Sequence, residues 1–353
     1  MKSKSKVVVS IAISAGAVLS LTACDPPMPP EVIAALAEQT YTCVDGTGKI
    51  AFTSGFTSDV YQGFVDSLTY SDCATSMFLE PTESFSDADI IVSDYAPLAS
   101  DCQPASTVPF ALDAGVFLYQ LADAGSVNFT LETAKRILSG EITNWSDAAL
   151  VEDNPQTTMP DLPITLRLNA DENALKSVIG YVFGDEDLSR TQIVAEKQND
   201  VNLFAYPEEG ELVVAPNSFA VALGLYPVNI RLQGDPTLPE NLANPDANGF
   251  FSAGTQLVPT VTADSVTLKL DPSIAPTPPQ GLDEISQPYQ AVYPVNMYMC
   301  ENNLVNRALS RFLLRLDTQG SIGLSSYIQQ PESSRTSGLT VVSKGLPTPE
   351  PVQ

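Results

Sequence analysis

Among the residues able to do chemistry, carboxylates dominate this 353-residue chain: 42 Asp and Glu stand against 17 Lys and Arg, with no histidine. Without an imidazole, Ser-His-Asp and Cys-His nucleophile systems are excluded, and so are histidine-ligated metal centres. Any reaction would have to run on carboxylates, tyrosine or lysine. Short motifs add little. "DGTGK" (45–49) lacks the spacing and helix-opening context of a phosphate-binding loop and reads as a turn. "GDEDLSR" (184–190) and "PEEGE" (207–211) read as solvated acidic loops. "NFT" (128–130) and "NWS" (144–146) match the glycosylation pattern by chance. No metal and no cofactor is expected.

The N-terminus says where such a chain works. Lys2, Lys4 and Lys6 precede the apolar run "VVVSIAISAGAVLSL", and "LTAC" follows. A basic head, a short apolar core and small residues before the cut make a secretory signal, residues 1–23, too short for a membrane span. Leu21-Thr22-Ala23-Cys24 also fits the bacterial lipobox, in which Cys24 receives lipid and becomes the first residue. "DPPMPPE" then begins a proline-rich tether, residues 24–40, that holds the rest off the bilayer. The expected location is the outer face of a bacterial cell membrane, through the Cys24 lipid.

Loss of three lysines from 17 basic residues leaves 14 against 42 acidic, a net charge near −28. Such a surface repels nucleic acid, anionic headgroups and anionic solutes alike. Four cysteines remain: Cys43, Cys73, Cys102 and Cys300. An even count in an exported chain favours two disulfides, and the wide spacings without histidine argue against zinc. Four cysteines allow three pairings; Cys43–Cys73 with Cys102–Cys300 is the preferred one.

The elements that must position any site alternate. "GKIAFTSGF" reads as a strand entering a turn, and "TSDVYQGFVDSL" places Val60, Phe64 and Leu68 on one helical face. "TSMFL" and "DIIVSD" read as short buried strands. The long run "VPFALDAGVFLYQL" (108–121), broken by Asp113 and Gly115, reads as a strand passing between lobes. A helix begins at Thr130-Leu131-Glu132 and stops at Gly140; Ser146 is expected to cap the next, with Asp147 in its first turn. "LPITLRL", "ENALKSVIGYVFG" and "ELVVAPNSFAVALGLYPVNIRL" give strand, helix, then strand–helix–strand. Residues 233–290 read as loops with one strand pair around "SVTLKL", and "YQAVYPVNMYMC" (289–300) is a second long apolar run. Leu304, Val305, Ala308, Leu309, Phe312, Leu313 and Leu316 mark one helix, and "QGSIGLSSYI" a short second one. Strands alternating with helices indicate an α/β architecture with mainly parallel sheets. A chain of this length makes two lobes, and two strand-like crossings place a ligand cleft between them.

The passage "TLETAKRILSGEITNWSDAALVEDNPQTTMPDLPITL" resembles the PstS-type phosphate-binding lipoproteins of bacterial phosphate ABC transporters. "TSGFTSDVYQGFVD", "ADIIVSDYAPLAS" and "YPVNMYMC…ALSRFLLRLDTQGSIGLSSYIQQP" are similar to other parts of that family in the same order. The resemblance spans nearly the whole mature chain. It implies a type II periplasmic-binding-protein-like fold of two α/β lobes joined by two crossing strands. Lobe one would take 41–112 plus 296–345 and lobe two 113–295, with a disordered tail at 346–353. Trp145, the only tryptophan, would pack a helix corner onto the second lobe.

By the same resemblance, an anion would be gripped by backbone N–H groups, hydroxyls, an arginine and an aspartate that accepts the hydrogenphosphate proton. The aspartate falls on Asp94. The first-turn hydroxyl falls on Gly55, leaving Ser54, Phe56 and Thr57 to offer N–H or hydroxyl groups. The family's Arg-x-Asp-Gly-Ser-Gly-Thr loop falls on "NADENAL": Asp171 matches, Asn169 replaces the arginine and Asn173 the serine. Arg167 lies on the same strand face as Asn169 and stands in for the lost cation. The family's Gly/Ser-rich turn has no counterpart in "TYSDCATSMFLEPTESFSDAD". The resemblance therefore implies a solute receptor for an ABC permease, phosphate- or oxyanion-binding by descent, with most of its anion grip replaced. The alternatives are a different, non-anionic ligand, or a non-transport surface protein using the scaffold for protein contacts. Asp94 and Asp171 facing one cleft would also suit glycosidase-type chemistry, but nothing else points to an enzyme.

Overall fold

The computed structural model describes residues 43–53, 56, 58–122, 124–168, 171–190, 206–232, 241–277 and 287–347. The signal segment, Cys24, the tether and the last residues of the expected tail lie outside the described residues. β1 (Gly46–Phe52), α1 (Ser58–Thr69), β2 (Met77–Pro81) and β3 (Ile90–Ser93) lead to the long β4 (Ser106–Tyr119). β5 (Asn128–Thr130), α2 (Leu131–Leu138), α3 (Ala148–Asp153), β6 (Thr165–Leu168) and α4 (Glu172–Phe183) follow. Next come β7 (Glu211–Pro216), α5 (Asn217–Leu223), β8 (Asn229–Arg231), β9 (Leu242–Ala243) and α6 (Ala247–Gly254). A hairpin of β10 (Leu257–Val261) and β11 (Val266–Leu270) precedes β12 (Val292–Met299). The chain closes with α7 (Leu304–Leu313), α8 (Leu316–Gln319), β13 (Ile328–Gln329) and α9 (Glu332–Val342).

The principal strand order is β2-β1-β3-β12-β4-β7-β6. β1 runs parallel to β2 and β3, and β6 parallel to β7. β12, however, is antiparallel to both β3 and β4, and β4 to β7. The sheet is thus mixed rather than mainly parallel. β12 returns from late in the chain and inserts between two strands that are neighbours in sequence.

Two large apolar cores form on this frame, with a smaller cluster around Ile91, Cys102 and Tyr298 beside the first. Val60, Phe64 and Leu68 of α1 pack with Ile50, Ile90, Val92, Phe110, Leu309 and Phe312 in the first. Phe117, Phe129, Ile137, Trp145, Val178 and Val214 belong to the second. β4 feeds both, with Val108 and Phe110 in the first and Val116 and Leu118 in the second. Its residues from Val108 to Leu118 are all buried, which is why its sequence is a nearly unbroken apolar run. β12 shares this double membership, Val292 joining the second core and Val295 and Met297 the first. Trp145 is fully buried between Phe129 and Tyr119, and its Nε1 donates to the Gly210 carbonyl at 3.0 Å. It belongs to the core. Disulfides join Cys43 to Cys73 and Cys102 to Cys300, with Cα atoms 5.1 and 5.2 Å apart.

Several local expectations are corrected. Asp147, not Ser146, is the N-cap of α3, accepting from Ala149 N at 3.0 Å; Ser146 is drawn back onto Asn144 Oδ1. The helix expected through Leu316 breaks after Leu313, and Leu304 and Leu316 are exposed. "QGSIGLSSYI" forms a 3₁₀ turn at Gly320–Leu324 and then β13, consistent with its small, flexible residues. Within 233–290 the hairpin falls at "SVTLKL" as expected, but α6 also forms, capped by Asp246 accepting from Gly249 N at 2.8 Å.

One close approach sets the site. α4 crosses β4 at Gly115, where a Cβ would collide with the Ala174 backbone carbonyl in the first turn of the helix. Gly115→Ala is expected to cost about 1–3 kcal/mol through overpacking, measured as a lower midpoint in denaturant.

Candidate functional site

Asp94 follows β3 and Asp171 is the N-cap of α4, so the two arise from opposite cores and meet between them. Their carboxyls lie close enough for each to act on the other's proton. Asp171 Oδ1 also accepts from Ala174 N at 2.8 Å, and Thr53 Oγ1, just past β1, donates to Asp94 Oδ1 at 3.4 Å. The Asn173 side-chain amide donates to the Asp94 backbone carbonyl, a second link between the same two elements. Two buried carboxyls this close avoid repulsion by holding a proton between them. Burial pushes both carboxyls above the ordinary aspartate range. The charge of Asp171 raises Asp94 further, whereas backbone donors partly offset the rise at Asp171.

Asp113, fully buried in the middle of β4, is the third member. Its Oδ1 accepts from Ala114 N at 2.8 Å and Ser218 N at 3.1 Å, and its Oδ2 from Ser218 Oγ at 2.6 Å. Burial raises it to about 7 despite these donors. The Tyr327 hydroxyl is buried near Asp94 and Asp113, and burial with their charge pushes it up. Tyr293 of β12 is buried beside them; its Oη has no hydrogen-bond partner among the described residues, and Asp113, Asp171 and Asp94 all act on it. No basic side chain figures among the groups shifting these three carboxyls.

The structure brings Asp94, Asp171 and Asn173 together, and links Phe56 to them through its ring, stacked on Tyr327 with centroids 4.4 Å apart. Arg167 is placed differently. Its Nη2 pairs with Glu211 Oε2 at 3.1 Å and bonds the Tyr206 carbonyl at 3.4 Å. The register explains this: Thr165 lies opposite Glu211, so Arg167 on the same face is the diagonal neighbour of that carboxylate. Ser54, Gly55, Thr57 and Asn169 lie outside the described residues. Sequence reasoning missed the roles of Asp113, Thr53, Ser218, Tyr293 and Tyr327. Only Asp113 left a signal, as an acid inside an otherwise apolar strand.

Two α/β cores joined through the shared strands β4 and β12, with β1 and β3 parallel in the first, make up a periplasmic-binding-protein-like fold. Residues 69–297 match the family described as "PBP superfamily domain", and the chain belongs to that family. No curated protein matches the sequence. In fold, the chain is similar to an ABC-type phosphate transport receptor from Vibrio cholerae, at 12% identity over 79% of this chain and 98% of that one, TM-score 0.39. It is also similar to a putative phosphate ABC transporter substrate-binding protein from Clostridium perfringens with bound phosphate. There the identity is 11%, over 81% of this chain and 100% of that one, TM-score 0.43. At such identities and scores the likeness says nothing of what this chain binds.

Proposed function

We propose that this chain is an exported, Cys24-anchored solute-binding protein that closes on its ligand between the two cores and delivers it to an ABC permease. It is a binding protein rather than an enzyme. Among the described residues no helix is long and apolar enough to cross a membrane, in keeping with attachment through a lipid on Cys24. The observation that carries the reading is the Asp94–Asp171 contact between an element of each core, with the Asn173 amide on the Asp94 carbonyl joining the same elements. Among the described residues the site is acidic, which argues against free phosphate as its ligand. A desolvated dianion needs nearly all its oxygens met by donors, and carboxyls repel it instead.

Thermal unfolding of the mature chain with phosphate, sulfate and a panel of metabolites tests this. A ligand at 100 times its dissociation constant adds about 2.7 kcal/mol. The expected result is no stabilisation by millimolar phosphate or sulfate and a clear rise with at least one non-anionic solute. A rise with phosphate would return the site to the chemistry of its phosphate-binding relatives.

A further inference from the structure

We propose that the second core carries a separate site for a neutral pyranose sugar, free or at the end of a glycan. It lies in a hollow at the far end of β4 and shares no residue with the carboxyl cluster. This goes beyond the solute-binding reading above and does not rest on it.

The hollow, about 470 Å³, falls in the size range of small-molecule sites. Three turns make it. Tyr119 ends β4, with Gly125 and Ser126 in the turn before β5; Tyr226 and Pro227 lead into β8; Asn244, Pro245 and Asp246 lead from β9 into α6. Strand pairing brings these turns together. β5 and β8 are parallel, so their incoming turns lie side by side, and β9 is antiparallel to β8, so its outgoing turn joins them. The first turn is held by the Tyr119 hydroxyl, which donates to the Gly125 carbonyl at 2.8 Å and accepts from Val127 N at 3.2 Å.

The lining has the chemistry a pyranose needs. Tyr226 is 86% exposed and makes no hydrogen bond or ring contact with a described residue. The electron-rich face of such a ring suits the C–H face of a sugar. The polar groups are mostly amides and a hydroxyl, which supply both donors and acceptors, as neighbouring sugar hydroxyls require. The Asn244 side chain has no partner among the described residues. Asn229 Nδ2 donates to Ser126 Oγ at 2.9 Å and Asn128 Oδ1 at 3.0 Å, which leaves Asn229 Oδ1 to accept and the Ser126 hydroxyl to donate. Asp246 Oδ1 caps α6, while its Oδ2 takes no donor from a described residue.

Charge decides between ligand classes. Asp246 is the only charged group among the described lining residues, and α6 already engages one of its oxygens. An anion would meet no basic side chain there, in the field of a chain with 42 acidic and 17 basic residues. A cation would find one half-engaged carboxylate. A neutral ring with hydroxyls on its edge and C–H groups on its face matches what is present. The other hollow of the second core, about 520 Å³, lacks an aromatic ring, and its Arg231 already pairs with Asp153 at 3.3 Å.

Saturation-transfer NMR of the mature chain, with calorimetry for affinity, tests this. The probes are D-glucose, D-galactose and D-mannose, their methyl glycosides, and maltose, with glucosamine and glucuronate as charged comparison arms. The expected result is millimolar binding of at least one neutral sugar, with transfer strongest at the C–H protons of one ring face. Tyr226→Ala should weaken it at least tenfold and Asn244→Ala several-fold, whereas Tyr226→Phe should keep most of it and Asp94→Asn all of it. Neither alanine variant should lower the unfolding midpoint, since Tyr226 is exposed and the Asn244 amide has no described partner to lose. Binding of the methyl glycosides assigns the end of a glycan; binding of the reducing sugars alone assigns a free sugar. Silence of every neutral sugar overturns the proposal. Binding that survives Tyr226→Ala but is lost in Asp94→Asn also overturns it, and would favour the solute-receptor reading by placing the sugar between the two cores. Glucosamine binding at least tenfold more tightly than glucose would replace the proposal with simple charge attraction.

Discussion

Asp113→Asn is expected to raise the midpoint of thermal unfolding above pH 7 and to leave it nearly unchanged near pH 4. Asp113 is buried in the middle of β4, and burial lifts its carboxyl from 3.8 to about 7. An acid whose folded value exceeds its unfolded one contributes its full stability below the unfolded value. That contribution is lost as pH rises through the folded value. The loss spans the window from about pH 4 to about 7 and amounts to about 4 kcal/mol. Asparagine keeps the shape and still accepts from Ala114 N and Ser218 N, while the contact with Ser218 Oγ reverses, the amide becoming the donor. The difference in midpoint between variant and parent, followed from pH 4 to 8, isolates this residue from the chain's other acids. A constant offset at every pH would mean that Asp113 ionises normally.

Asp94→Asn should have the second large effect, in the same direction and on both stability and binding. The asparagine amide donates permanently to Asp171, replacing the proton that the parent loses as pH rises. Above neutrality the variant should unfold at a higher temperature than the parent, and its pH dependence should shrink. Asp171→Asn should behave alike without fraying α4, because asparagine is as good an N-cap as aspartate. In the double variant the effects should fall short of additive, since one shared proton cannot be removed twice. Destabilisation by Asp94→Asn at all pH values would contradict a proton-sharing pair.

Much of the frame was legible because burial leaves periodic marks. Val60, Phe64 and Leu68 announced α1, and the apolar length of β4 announced a strand covered on both faces. Elements stabilised by tertiary contacts rather than pattern were not legible. α6 begins in a Pro-, Asn- and Gly-rich passage and relies on its Asp246 cap, while α9 is rich in serine and threonine and was not anticipated. At α7 the heptad-like leucines overran the true end, because Leu316 continues the spacing without being buried. For the site, family resemblance pointed to Asp94, Asp171 and Asn173. It could not reveal that Glu211 claims Arg167, since that depends on strand register across a loop. Nor could it find Tyr293 and Ser218, whose residue types are ordinary and whose role comes only from what surrounds them.

Carboxyl ¹³C resonances of aspartate-labelled protein, assigned with Asp94→Asn, Asp113→Asn and Asp171→Asn and titrated from pH 3 to 9, test the central claim most directly. Asp113 should titrate at about 7, and the Asp94–Asp171 pair should hold one proton well above the usual aspartate range, with removal of either partner shifting the other. If all three carboxyls lose their protons below about pH 5, in the ordinary aspartate range, the buried acidic site described for this protein does not exist.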